Sequence, residues 1–584
     1  MPLCALLLLL PLLLLDVAAA VAPRPKMVRA DGLCTDASTP TVALAMQGGG
    51  FRAMAVDTGV IAGILAKVGQ DRGILAPTVE DTGILQRFCL LSSNSGSSWF
   101  LSELIYSGRF LSLLESMAAS PATASSLYAA DWTNLWLKAT NVEEGDYDEK
   151  GRLARKLVKE LLGTGDEDTI FVMQYFLASG YEWDDFTALL LNSTGDLTSE
   201  TQLGGISASW SKGKVWQVAH SAVLPSDDKP GILFQGRFLS LPRVTYEAVR
   251  APGAENMAQF VPATFSVEVG SAVSASAPLR YVAPDIAQNV TALQYKAKVS
   301  LLPFQHVATT TALGEDLANG AIVNFSAALP VVEVAAASSA FLGEACTMGD
   351  IVAEAEDFID FDLTPWVSNV TSGNAFKEAE KTVTGFEHFG GVTAGSATSA
   401  AMVATRGLVD GGLTDGTGIG QAAAAGASEI VAVLNCNASI DPFYLQLLFA
   451  GGPAPSSPGS SKDIFPVFSA PNAGTFLEDF LAFPRLVVPN TTRFLKNFSV
   501  GSVNVTTAEN GYFGIEGGRA ILLHIIQISS DLDIGPWDNL NNFDVLAQEI
   551  EMAILHPPNE DLVTKKLLPM FLEQARTATR EILV

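Results

Sequence analysis

The chain has 584 residues, with 62 acidic against 35 basic side chains, a net charge of −27 and 48% apolar residues. So large a negative surplus repels nucleic-acid phosphates and anionic lipid headgroups, which argues against a polyanion-binding protein and favours a neutral or zwitterionic partner. The plainer reading, that the charge keeps an exported protein soluble, stands beside it.

In chain order, Met1 to Ala20 carries an apolar run through Leu15 and then Ala18-Ala19-Ala20. This is the layout of a secretory signal with its cleavage site. Its removal takes away Asp16 and leaves a net charge of −26, from −27. Residues 21–40 read as a linker, and 41–584 as one large domain. Thr41 to Met46 reads as a buried strand, Ala53 to Val68 as a helix with Met54, Ile61, Ile64, Leu65 and Val68 on one face, Arg87 to Leu91 as a strand, and Ser97 to Met117 as a helix. That alternation is an α/β pattern. Residues 131–360 mix Gly, Ser and Pro with apolar runs and read as lid insertions around the core. Strand signals return at Glu429 to Leu434 and Ala520 to Ile528, so the sheet is expected to be completed late in the chain. Gly451 to Ser461 reads as an exposed loop, and Glu560 to Leu583, by its helical spacing, as a segment packed on the outside. No internal repeat or heptad pattern is present.

N-x-[ST] acceptors at Asn192, Asn289, Asn324, Asn369, Asn437, Asn490, Asn497 and Asn504 fit a secretory lumen. Beyond Cys4, the cysteines are Cys34, Cys89, Cys346 and Cys436, and four cysteines allow three full pairings.

The chemistry concentrates in three stretches. Gln47-Gly48-Gly49-Gly50-Phe51-Arg52-Ala53-Met54 follows the first strand. Glycines there let backbone N–H groups point into a cleft, and the following helix adds its positive end, which is how an oxyanion hole is built. Arg52 offers a fork of donors to a phosphate or carboxylate. Ser93-Asn94-Ser95-Gly96-Ser97-Ser98-Trp99 follows the second strand and places Ser95 at a sharp strand-to-helix turn. Read alone, the stretch is equally a Ser-rich helix start with one serine as N-cap. Val409-Asp410-Gly411-Gly412-Leu413-Thr414-Asp415-Gly416 supplies a carboxylate able to take a serine proton.

With these residues in view, the chain resembles the superfamily of cytosolic group IV phospholipase A2 and secreted fungal phospholipase B (lysophospholipase), patatin-related in its core. Gly48 to Met54 is similar to that family's G-G-G-[FY]-R-A-M, and Ser95 to Trp99 to its S-G-S-T-W. The resemblance implies an α/β catalytic core with a central, mostly parallel sheet, helices on both faces and a large inserted lid. It implies Ser95 and Asp410 as a catalytic dyad, with Gly48, Gly49 and Gly96 as oxyanion-hole glycines and Arg52 as the contact to the headgroup phosphate. The expected substrate is a phospholipid or lysophospholipid met transiently at a membrane or micelle surface, hydrolysed without metal or cofactor. Weaker echoes at Phe265 to Gly270 and Gly391 to Ala401 fall in order between the motifs. Ser93 and Asn94 depart from the family pattern, which has a glycine and an apolar residue there. No C2-like calcium module is expected ahead of the site.

Asp415 is the alternative base, though capping the loop suits it better. His220, His306, His388, His524 and His556 read as structural, with His388 the reserve for a triad. Gly416-Thr417-Gly418-Ile419-Gly420 lacks the strand and acidic partner of a dinucleotide loop. A secreted lipid-binding relative without activity is the alternative function.

Overall fold

The computed structural model describes residues 41–140, 183–223, 260–269, 275–279, 321–325, 330–339, 407–437, 482–510, 515–532 and 542–572, with shorter pieces between 448 and 513. The signal segment, the linker, His306, His388, the echo at Gly391 to Ala401 and most of Gly451 to Ser461 lie outside the described residues.

The strands are β1 (Val42–Met46), β2 (Leu90–Ser93), β3 (Val215–Val223), β4 (Phe260–Glu268), β5 (Ala275–Leu279), β6 (Ala321–Phe325), β7 (Gly407–Asp410), β8 (Glu429–Asn437), β9 (Phe468–Ser469), β10 (Leu495–Thr507) and β11 (Ala520–Ser530). They form one sheet in the order β9-β10-β11-β8-β1-β2-β3-β4-β5-β6, with β7 also on β3. The five central strands, β11-β8-β1-β2-β3, pair in parallel. Both flanks are antiparallel. All five residues of β1 are buried, so both of its faces are covered, and its continuous apolar run follows from that.

Four strands of the main sheet, β3 to β6, arise between residues 215 and 325, inside the stretch expected as a lid insertion. Their mixed composition carries too weak an alternation to announce them. The first four expected elements are recognisable with shifted ends. β2 starts at Leu90 and continues through Ser92 and Ser93, whose small hydroxyls are buried and hydrogen-bonded. The helix expected over Ser97 to Met117 is two, α2 (Gly96–Tyr106) and α3 (Gly108–Ala119). Ser107 breaks it by adopting an extended conformation and accepting the Phe110 N–H with its side chain, an N-cap.

The first helix, α1 (Gly50–Arg72), ends at Gly73 in the left-handed region (φ 69°). Its residues from Ala53 to Gly69 are buried throughout, on every face. Crossing it is a late helix spanning Asn542–Leu555. The two approach over Gly59 and Gly63, where an added Cβ would lie 2.5 Å from Ala547 O and 2.6 Å from Ile554 Cδ1. The segment after this helix, expected on the outside, buries Val563, Leu567, Met570 and Phe571 instead. Phe571 meets Phe88 edge-on, and Arg87 Nη1 donates to Pro569 O at 2.6 Å.

An acid sits in the middle of the helical layer. Glu103 of α2 is fully buried and accepts from Trp132 Nε1 at 3.0 Å and from the Thr194 hydroxyl of a further helix, Trp183–Gly195. Burial pushes its carboxyl up to about 8, against these hydrogen bonds and the charge of Arg109. The folded state therefore favours the protonated form. The stability this contributes is complete below the ordinary carboxylate range near 4.5 and is lost as pH rises toward about 8. Unfolding by urea at a series of pH values between these limits is expected to show stability falling with pH, with a shallower fall in Glu103→Gln.

Candidate active site

The register of the parallel centre builds the site. Met46 pairs with Ser93 on one side and Val433 on the other, Ser93 pairs with Val218, and His220 pairs with Asp410. Two residues beyond Met46, Val433, Ser93 and Val218 lie Gly48, Asn435, Ser95 and His220. The carboxyl ends of β1, β2 and β8 thus bring Gly48, Ser95 and Asn435 to the level at which β7 delivers Asp410. Open α/β sheets bind ligands at such ends.

Ser95 has φ 50° and ψ −127°, a conformation that costs a non-glycine residue roughly 1–3 kcal/mol and persists only where its surroundings hold it. They do so here. The Ser95 N–H donates to Ser338 Oγ at 3.2 Å, and Ser97 N and Ser98 N donate to Asn94 O and Ser95 O at 3.0 and 2.8 Å. Ser338 closes an eight-residue helix, α4 (Val331–Ser338), and also donates to Ala219 O at 2.7 Å and meets Ser98 Oγ at 2.8 Å. Ser93, where the resembled family has glycine, accepts from Trp216 Nε1 at 2.9 Å and meets Ser98 Oγ at 3.0 Å. Asn94 donates to Asp415 O. Both departures from the family pattern are therefore accommodated by partners of their own.

Ser95 Oγ lies 2.8 Å from Asp410 Oδ2, and Asp410 Oδ1 accepts the Gly412 N–H at 2.7 Å. Ser95 is 9% exposed and Asp410 5%. Asp415, the alternative base, accepts four hydrogen bonds, from Thr417 N, Thr417 Oγ1, Gly418 N and Gln421 N, at 2.8–3.1 Å. Burial holds its carboxyl above the usual range despite them. With both oxygens committed, Asp415 braces the loop. His220 is buried with its ring nitrogens 3.0 Å from Val218 O and Val334 O, a structural placement that ties the Val331–Ser338 helix to β3. His524 lies between Ser502 Oγ and Glu429 at the far side of the sheet.

The glycine loop and the serine turn are in direct contact. A Cβ on Gly48 would lie 2.7 Å from Ser95 Cβ, and one on Gly96 2.1 Å from Gly50 O. Nothing larger than glycine fits at either position. Gly49 has φ 137°, outside the range of other residues. The Gly48 N–H donates to Gly416 O at 3.3 Å, whereas the Gly49 and Gly96 N–H groups find no acceptor among the described residues. Phe51 and Trp99, the aromatic residues of the two motifs, meet at 5.5 Å in a buried cluster with Trp136 and Phe186. Arg52 is half-buried on the first turn of α1 and donates from Nη2 to Leu532 O at 3.3 Å. Among the described residues no group of three or more His, Cys, Asp or Glu side chains is arranged to hold a metal, and no helix is long and apolar enough to cross a membrane.

Asn435 belongs to none of the three motif stretches. Its Nδ2 donates to Gly48 O at 2.9 Å and to Gln47 O at 3.2 Å, while its N–H donates to Gln47 Oε1 at 3.0 Å. In a planar trans peptide, a Gly48 carbonyl held toward Asn435 turns the Gly49 N–H away from it. Only its position two residues past the β1–β8 register could have signalled this.

Residues 42–126 match the family model described as the lysophospholipase catalytic domain. Among solved structures, human GIVD cytosolic phospholipase A2 is matched at 12% identity and a TM-score of 0.33, over 91% of this chain and 60% of that one. The chain thus spans three-fifths of that protein's length, and a likeness this low carries no further argument. No curated protein matches the chain significantly.

Asn435→Ala is expected to lower turnover roughly ten- to a hundredfold with a smaller change in KM, since it frees the loop rather than removing a donor. Steady-state ester hydrolysis by the folded variant checks this. Over residues 42–126, which hold the glycine loop and the serine turn, the chain is similar to the lysophospholipase catalytic domain, and the likeness to the phospholipase A2/B superfamily read from its motifs holds there.

Proposed function

We propose that the chain is a secreted serine hydrolase that cleaves fatty-acyl esters of glycerophospholipids or lysophospholipids through a Ser95–Asp410 dyad. The observation that carries this reading is the 2.8 Å contact between Ser95 Oγ, at a strained strand-to-helix turn, and Asp410 Oδ2. The match of residues 42–126 to a lysophospholipase catalytic domain supports the substrate class.

Asp410 accepts the Ser95 proton as Oγ attacks the ester carbonyl, and the N–H groups of Gly49 and Gly96 receive the developing oxyanion. The lyso-product or glycerophosphodiester alcohol leaves with that proton, and an acyl-serine remains. Water, deprotonated by Asp410, then releases the fatty acid and restores Ser95. Gly48, expected to donate as well, instead has its N–H directed to Gly416 O and serves by its lack of a side chain beside Ser95. Arg52, on the first turn behind the loop, would take the headgroup phosphate. The net charge of −27 suits a zwitterionic headgroup better than an anionic surface.

Export is supported by the signal-like Met1 to Ala20, by the exposure of the acceptor asparagines Asn192, Asn490 and Asn504, and by the disulfide formed by Cys89. Disulfides persist in oxidising compartments.

Fatty-acid release from phosphatidylcholine and lysophosphatidylcholine micelles, with EDTA present, tests the reading. Wild type is expected to turn over without calcium, with Ser95→Ala and Asp410→Asn slower by about 10³-fold or more while folded. Lipid binding without turnover would instead support the inactive lipid-binding alternative.

A further inference from the structure

We propose that Asp57 is a protonated carboxylic acid that positions the oxyanion loop through Ser97. Asp57 lies on the second turn of α1 and Ser97 on the first turn of α2, so the pair joins the two helices that open from the glycine loop and the serine turn. The proposal rests on reading that loop as an oxyanion hole.

The argument is a count of protons. Ser97 Oγ is 2.5 Å from Asp57 Oδ2 and 2.6 Å from Gln47 O. A serine hydroxyl has one proton and so donates to only one of these oxygens. Gln47 O is a carbonyl and cannot donate in return. If Asp57 were ionised, one of two short contacts would be oxygen against oxygen with no hydrogen between. With a proton on Oδ2 the chain is complete: Asp57 donates to Ser97 Oγ, and Ser97 donates to Gln47 O.

The surroundings agree with this. Asp57 has no exposed surface, and its other oxygen finds no hydrogen-bond partner among the described residues. A buried carboxylate with an unpartnered oxygen is costly, whereas a neutral acid is tolerated. Burial pushes its carboxyl well above the usual range, opposed only by the Ser97 hydrogen bond. Tyr128 nearby feels Glu103, Asp544 and Asp57 together, with Arg109 acting on Glu103 and Arg493 on Asp544.

The far end of the chain matters for the site. Gln47 O takes the Ser97 proton on one side and Asn435 Nδ2 on the other, at 3.2 Å. These two donors fix the Gln47–Gly48 peptide, and the same Asn435 fixes the next carbonyl. The direction of the Gly49 N–H follows from both. Removing the Asp57 proton leaves Ser97 with two acceptors for one hydrogen, and the loop loses one of its two holds. Asp57 does not touch the reacting atoms and is a positioning residue.

The test compares Asp57→Asn, Asp57→Leu, Ser97→Ala and the Asp57→Leu/Ser97→Ala double variant, beside Ser95→Ala, on lysophosphatidylcholine micelles. Asp57→Asn, whose amide can donate to Ser97 Oγ, is expected to keep kcat within about threefold. Asp57→Leu and Ser97→Ala are expected to lower kcat roughly ten- to a hundredfold at little-changed KM, and the double variant to be no worse than either. The infrared difference spectrum of wild type minus Asp57→Asn at neutral pH is expected to contain a protonated-carboxyl band, a readout that needs no activity and no Leu variant. A carboxylate band there, full kcat in Asp57→Leu, or equal losses in the Asn and Leu variants would overturn the proposal. Absent hydrolysis by wild type, or full activity in Ser95→Ala, sinks the hydrolase reading instead, and the infrared band still decides the protonation.

Discussion

The hydrogen bond from Ser95 Oγ to Asp410 Oδ2 spans 315 positions of chain, and much of the described architecture serves to hold its two ends at 2.8 Å. Neither side chain has reach to spare: a serine hydroxyl sits one bond from Cβ and an aspartate carboxyl two. The backbone must therefore bring both residues to the same level to within a fraction of an ångström. The sheet does so by register, because β2 pairs with β3 and β3 pairs with β7. The antiparallel β3–β7 pair places Asp410 opposite His220, two residues past the partner of Ser93. A one-residue slip in either pairing would point one of the two side chains to the other face.

Strain at Ser95 and the close contact of glycines are two sides of one constraint. Ser95 takes up a backbone conformation that glycine favours, so its hydroxyl stands clear of the helix that follows. That turn brings Gly96 against the Gly50 backbone and Ser95 against Gly48, leaving no room for a Cβ at either glycine. What holds the strained turn is a buried run of hydrogen bonds, from the Trp216 indole N–H through Ser93 and Ser98 to Ser338, rather than apolar packing alone. Hydrogen bonds at fixed length suit this task better than methyl groups, which tolerate sliding. The aromatic cluster of Phe51, Trp99, Trp136 and Phe186 supplies the apolar support one layer below.

Legibility in the sequence followed how local each cause is. β1, the glycine loop, α1 and the serine turn were readable because their signals lie within a few residues, as apolar runs, glycines and a turn. Asp410 was readable only through the resemblance to a known family, since an aspartate before two glycines is a common turn. The split of the expected helix at Ser107 had a local signal, a serine ahead of glycine, that periodicity alone passes over. β10 is not announced because its alternation changes phase, from Phe498-Ser499-Val500 to Val503-Asn504-Val505 across Gly501-Ser502, and strands β3 to β6 are not because their stretch reads as mixed. Asn435, Ser338 and Asp57 act through contacts with residues distant in sequence or through a proton that sequence does not display. Of these, Asp57 alone left a trace, as an acid within an otherwise apolar helical run.

The central claim is that Ser95 is a nucleophile because Asp410 takes its proton. Reaction with an alkyl fluorophosphonate, followed by mass spectrometry of the digested protein, tests it most directly, since the phosphonyl group stays on the attacking oxygen. The account predicts one adduct on the peptide carrying Ser95 in wild type, with labelling slowed by orders of magnitude in Asp410→Asn. An adduct on a different residue, or equal labelling rates in wild type and Asp410→Asn, would contradict it.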